Sequence, residues 1–143
     1  MVDILSASTL DLDVTTLHDI LRLRQDVFVV EQQCVYADLD GRDLEPGTVQ
    51  VWAEGQAGVV ATLRVLLEPD GTRRIGRVAT AVPARGRGLA AGLVAAALTL
   101  GEGPVVLDAQ SHLEGWYVRF GFARVGEEFL DDGIPHVPMR LDR

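Results

Sequence analysis

The sequence predicts an α/β fold, a mixed and strongly twisted sheet of six to seven strands with helices on both faces. Three observations carry this expectation. Residues 48–80 hold three β-rich runs separated by the short turns Gly55-Gln56-Ala57-Gly58 and Pro69-Asp70-Gly71, the pattern of an antiparallel meander. An alanine-rich helix follows the third run. Beyond it, Val105-Val106-Leu107-Asp108-Ala109 reads as a second buried strand, and a strand–helix–strand crossover makes it parallel to the strand at 73–80. At 143 residues the chain is expected to be a single domain, 1–143, with a core of its own.

The elements follow in order. Residues 2–6 suit a short edge strand. Asp13 can cap a helix over about 14–28, whose apolar stripe is Leu17, Ile20, Leu21, Val27 and Phe28. Arg24 falls on that stripe, either snorkelling to its rim or held as a charge at the edge of a cleft. Asp38-Leu39-Asp40-Gly41 invites a calcium reading, which fails on register. An EF-hand loop starting at Asp38 needs Gly at 43 and Glu at 49, where Asp43 and Val49 stand. A solvated Asp-Gly turn is expected there instead. Residues 48–54 alternate as a strand, and 59–67 form an almost unbroken apolar run, the mark of a central strand. Arg64 interrupts that run. An unpaired buried charge is costly, so a salt bridge or a substrate contact is required. After the helix, Ser111-x-x-Glu114 reads as a capping box opening a short helix with Leu113, Trp116 and Phe120 on one face, stopped by Gly121. Residues 123–130 and 137–141 are the last strands.

Composition narrows the function classes. A net charge of −8 disfavours non-specific binding to nucleic acid or to anionic membranes. The lone Cys34 excludes an internal disulfide and a cysteine-rich metal site, and with no histidine beside it has no local activator as a nucleophile. No stretch is apolar enough to span a membrane, and the start Met1-Val2-Asp3-Ile4-Leu5 lacks the basic region of a signal peptide, so the cytoplasm is the expected compartment.

The chemistry gathers at residues 73–100. Ile75, Val78 and Thr80 suit a strand, Pro83 ends it, and a helix is expected from Gly88 to Leu100. The first turn of a helix offers amide hydrogens without intrahelical partners, at the positive end of the macrodipole. Gly86 and Gly88 remove side chains that would block a ligand, and Arg85 and Arg87 add fork-shaped donors that match phosphate. A pyrophosphate suits such a junction. The segment is neither a P-loop nor a dinucleotide-binding turn, since both G-x-x-x-x-G-K-[ST] and G-x-G-x-x-G are missing.

Arg85-Gly86-Arg87-Gly88-Leu89-Ala90 resembles the [QR]-x-x-G-x-[GA] signature of the GNAT superfamily of N-acetyltransferases. The resemblance implies that this segment holds the pyrophosphate of acetyl-coenzyme A. It also implies that the backbone at Val78, Ala79 and Thr80 pairs with the pantetheine arm, admitted where a splayed parallel strand pair parts near the end of the 73–80 strand. Trp116-Tyr117-Val118-Arg119-Phe120-Gly121-Phe122 resembles the family's [FW]-Y-x-x-x-G-F segment. There the tyrosine, here Tyr117, protonates the leaving thiolate. Three blocks, 23–32, 74–90 and Asp131-Asp132-Gly133-Ile134-Pro135-His136, look like the ElaA-like branch of that superfamily. Ala90 stands where glycine is common, which the signature tolerates.

The implied reaction is acetyl transfer from acetyl-coenzyme A to a primary amine of a small molecule or peptide by direct attack. The amine must lose a proton, and Glu31, Asp108, Asp132 and His136 are the candidate acceptors, with Glu31 first because it follows the helix in a region that lines the acceptor cleft in the family. A homodimer is compatible with the sequence. Two alternatives stand beside this reading. Arg24, Phe28, Asp40, Asp43 and Arg64 loosely resemble acyl-homoserine-lactone synthases, which share the fold but are longer. A non-catalytic module that binds acetyl-coenzyme A is the other.

Overall fold

The computed structural model describes residues 1–143. Eight strands form one sheet: β1 (Asp3–Ser8), β2 (Val49–Gly55), β3 (Gly58–Leu67), β4 (Arg73–Thr80), β5 (Val105–Gln110), β6 (Ala123–Arg124), β7 (Phe129–Asp131) and β8 (Ile134–Leu141). The helices are α1 (Val14–Arg24), α2 (Leu89–Ala97) and α3 (Glu114–Val118). The order in the sheet is β1-β2-β3-β4-β5-β8-β6, with β7 also paired to β8. All neighbours are antiparallel except β4 and β5. The strand count exceeds the expected six or seven because the run at 123–130 is broken by Gly126 and the acidic pair Glu127-Glu128 into β6 and β7.

Alternation along β2 and β3 sends the two sets of side chains to opposite faces. Val51, Ala53, Ala61, Leu63 and Val65 pack with Leu93, Val94 and Ala97 of α2. The other face takes α1, where Leu23 joins Val27 and Ala79 in a smaller cluster. Asp13 caps α1 as expected, its carboxylate accepting from the Thr16 amide at 2.7 Å. The helix does not run on to residue 28 as an α-helix. It widens into a π-helical turn over Gln25–Glu31, where the Gln32 amide donates to Val27 O and the Cys34 amide to Val29 O. Such turns are frequent at functional sites, and this one contains Val27, Val29 and Val30, β-branched residues that an α-helix accommodates less well.

Two features open the sheet at its centre. The parallel pairing of β4 with β5 is confined to Arg73↔Val105 and Arg74↔Val106, so the strands part soon after β4 begins, not near its end as expected. The second is a bulge in β4. Thr62 pairs with Ala79 and Arg64 with Gly76, which leaves Arg77 and Val78 opposite Leu63 alone. Arg77 takes φ +54°, a left-handed conformation rare for a non-glycine residue.

The expected capping box at Ser111 does not form. The Ser111 hydroxyl donates to Glu128 at 2.8 Å, tying the start of a short 3₁₀ turn to the β6–β7 connection, and Glu114 opens α3. No helix is long and apolar enough to cross a membrane.

Candidate active site

The β4–α2 junction is an open cradle of glycine-rich backbone. Gly86 and Gly88 have φ +79° and +73°, and a Cβ at either would meet nothing within 4 Å, so the space above the loop is open. Gly88 caps α2, and the first intrahelical bond runs from the Gly92 amide to Gly88 O at 3.0 Å. The amides of Leu89, Ala90 and Ala91 therefore lack intrahelical acceptors.

From this cradle a cleft of about 960 Å³ runs along the free edge of β4, between it and β5, to the turn at Gln25–Glu31. Val78, Ala79, Thr80, Arg85, Gly86, Gly88, Leu89 and Ala90 all line it, as do Tyr117, Glu31, His136, Asp108 and Asp132. Residues from five separate stretches of sequence are thus brought to one cavity. Arg87 stands apart from the lining, with one guanidinium nitrogen 3.4 Å from Pro83 O.

Arg85 is fully engaged. Its Nε donates to Thr80 O at 3.0 Å, and its two terminal nitrogens donate to the two carboxylate oxygens of Glu31, each at 2.6 Å. These bonds hold the Glu31 carboxyl below the ordinary carboxylate range. Glu31, first among the expected proton acceptors, is committed to a guanidinium.

Tyr117 is 6 % exposed and sits edge-on to Trp116 and to Phe122, with ring centroids 4.8 and 6.1 Å away. Burial pushes its phenol up to about 12, so it carries its proton across the neutral range. His136 stacks on Phe129, and its Nδ1 lies 2.7 Å from Ile134 O. A carbonyl oxygen only accepts, so Nδ1 carries the hydrogen and Nε2 is left with a free lone pair. Asp108 accepts from Arg74 at 3.2 Å. Asp132 sits at φ +48° in the β7–β8 turn, its carbonyl 3.6 Å from the Cys34 sulfur.

The sequence reading of Arg24 and of the 38–43 loop is corrected by a buried ion network. Arg24 is 1 % exposed, neither at a rim nor in the cleft lining. Its guanidinium donates to Asp43 at 2.7 and 3.1 Å and to Asp38 at 3.0 Å. Arg64 donates to Asp40 at 2.9 and 2.7 Å and to Asp43 at 3.2 Å, so its charge is paired, and both Arg64 and Asp40 also line the cleft. Arg77 Nε lies 2.9 Å from Asp38 Oδ1. Three arginines and three aspartates cancel, so Asp38 and Asp43 are buried in ion pairs while Leu39, Asp40 and Gly41 at the turn stay exposed. A signal was present: three arginines set among apolar runs, and three aspartates of equal total charge in one short loop.

A coenzyme fits this cavity on structural grounds. The cradle leaves room for a diphosphate, and the edge of β4 from Ile75 to Thr80 has no strand beside it to occupy its backbone groups. The comparisons agree. The acetyltransferase (GNAT) domain family matches residues 24–143. A UPF0039 protein of Mycobacterium bovis is 50 % identical over 134 residues, covering 90 % of this chain and 86 % of that one. Protein ElaA of Escherichia coli is 38 % identical over 136 residues, covering 90 % and 89 %. Among solved structures, an acyl-CoA N-acyltransferase from Pseudomonas aeruginosa is 39 % identical with a TM-score of 0.93, covering 99 % of each chain. The crystal structure of Escherichia coli ElaA is 34 % identical with a TM-score of 0.92, covering 99 % of this chain and all of that one, 100 %. The fold implies acyl-coenzyme A as co-substrate and the family supports an acyltransferase acting on an amine. The chain belongs to the GNAT superfamily, on its ElaA-like branch.

Proposed function

We propose that the protein transfers an acetyl group from acetyl-coenzyme A to a primary amine of a small molecule or peptide by direct attack, in the cytoplasm. The observation that carries this is the single cleft joining the Gly86–Ala90 cradle, the free edge of β4 and the buried Tyr117.

The thioester of the bound coenzyme supplies the activated acyl group. The amides of Leu89, Ala90 and Ala91 hold the diphosphate, and the β4 edge at Val78, Ala79 and Thr80 aligns the pantetheine arm through backbone hydrogen bonds. Tyr117, protonated at neutral pH, donates its hydrogen to the departing thiolate. Nε2 of His136, left free by the Nδ1–H bond to Ile134 O, takes a proton from the substrate's ammonium group, and the neutral amine so formed attacks the thioester. Glu31 is the weaker candidate for that step because both its oxygens already accept from Arg85. Of the residues that suggested a lactone synthase, Arg24, Asp40, Asp43 and Arg64 are bound to one another in a buried ion network, while Phe28 lines the cleft with Asp40 and Arg64.

The test is thiol release from acetyl-coenzyme A across a panel of primary amines. Turnover with at least one amine, lost in His136→Gln while coenzyme binding persists, is the expected result. Tight coenzyme binding with no turnover on any amine would assign a binding module instead.

A further inference from the structure

The ion pair between Glu31 and Arg85 stands at a junction that the transfer chemistry does not use. Glu31 is the last residue of the π-helical turn whose Val27 and Phe28 form one wall of the cleft. Arg85 precedes the glycine cradle on the opposite side and is pinned to the end of β4 by its Nε bond to Thr80 O. The two side chains therefore clasp the acceptor-side wall to the coenzyme loop, over a separation of 54 residues in sequence.

A carboxylate presents two oxygens to the guanidinium fork in the geometry that a phosphate also presents. Both side chains are about two-fifths exposed, 39 % for Glu31 and 41 % for Arg85, so neither is locked in place by burial. The diphosphate of a coenzyme seated on the Gly86–Ala90 amides brings a second anion within reach of the same guanidinium. Two anions on one fork repel, and the ligand with more charge and more neighbouring amide donors displaces the other.

We infer that Glu31 holds the place of the diphosphate on Arg85, and that coenzyme binding exchanges one anion for the other and frees the turn at Gln25–Glu31. This rests on the coenzyme site described above. It makes Glu31 a positioning residue that couples the two halves of the cleft. The wall at Gln25–Glu31 is fastened to the coenzyme loop until the acyl donor arrives.

Titration calorimetry with free coenzyme A on the wild-type chain, Glu31→Gln, Arg85→Gln and the double variant tests the exchange. Glu31→Gln removes the competing anion and is expected to tighten binding roughly fivefold, the scale of a half-exposed ion pair. The same substitution in the Arg85→Gln background is expected to change binding little, because the exchange has lost its centre. An equal gain in both backgrounds means simple charge repulsion and overturns the proposal, as does no gain in either. Hydrogen exchange gives a second reading: coenzyme A should speed amide exchange over residues 27–34 in the wild-type chain, and unchanged or increased protection there overturns the release of the turn. No coenzyme binding by any of the four proteins would overturn the proposal together with the site it rests on, whereas binding with equal gains removes the exchange alone.

Discussion

Arg24 and Asp43 meet in a two-pronged ion pair, 2.7 and 3.1 Å, that is closed off from solvent beneath the cleft. Asp43 also accepts from Arg64 and from Gln50, while Arg24 reaches Asp38. Removing one member of a buried pair leaves the other charge without compensation. Arg24→Met is expected to cost about 3–5 kcal/mol of stability, read as a lowered urea midpoint. A midpoint close to the wild-type value would show that the network is not what fastens the 36–44 loop.

The same network sets the response to acid. Burial alone would raise Asp43, but Arg24, Gln50 and Arg64 together outweigh it and hold the carboxyl below its ordinary value of 3.8. Asp40 is held well below that value, chiefly by its bonds from Arg64. A carboxyl lowered on folding stabilises the fold above its unfolded value, and that contribution is lost as pH falls toward the folded one. Stability is therefore expected to be flat from pH 7 to about 5. Below about pH 4 it should fall, with a slope of up to about 1.4 kcal/mol per pH unit for each carboxyl. Urea unfolding at a series of pH values checks this, and Asp40→Asn should flatten part of the acid slope.

Tyr117→Phe removes only the phenolic hydroxyl from a ring held edge-on by Trp116 and Phe122. If the hydroxyl is the proton donor, kcat should drop by about a hundredfold or more, with coenzyme affinity nearly unchanged. Loss of affinity with kcat preserved would make Tyr117 part of the coenzyme's packing instead.

Gly88 caps α2 at φ +73°, where a methyl group would meet no neighbour within 4 Å. Gly88→Ala therefore acts through backbone strain, not through a clash, and is expected to cost about 1 kcal/mol in thermal or urea unfolding. Because the strain falls on the cradle, coenzyme binding should weaken in parallel. An alanine variant of unchanged stability would mean that the loop relaxes to another shape.

The meander, the crossover helix and the β4–α2 cradle were legible in the sequence because each is written in local terms: alternation, turn residues, an alanine run and two glycines beside two arginines. The features that read wrongly depend on partners far along the chain. Arg24 looked like a rim residue because its ligands lie at Asp38 and Asp43, and nothing local announces them. Ser111 had the spacing of a capping box, but Glu128 of the β6–β7 connection took its hydroxyl. The partner of Glu31, Arg85, likewise stands 54 residues away. The π-helical turn and the left-handed Arg77 were likewise illegible, since each is imposed by packing on residues that would otherwise favour ordinary geometry.

The two-rung contact between β4 and β5 has a mechanical consequence. The sheet is in effect two panels, β1 to β4 and β5 to β8, fastened at one corner by Arg73, Arg74, Val105 and Val106. Beyond that corner the Arg74–Asp108 contact is a side-chain stay and not a ladder. Widening or narrowing the wedge breaks no row of backbone hydrogen bonds. The gap can therefore take the thickness of whatever slides into it, while each panel keeps its own pairing intact.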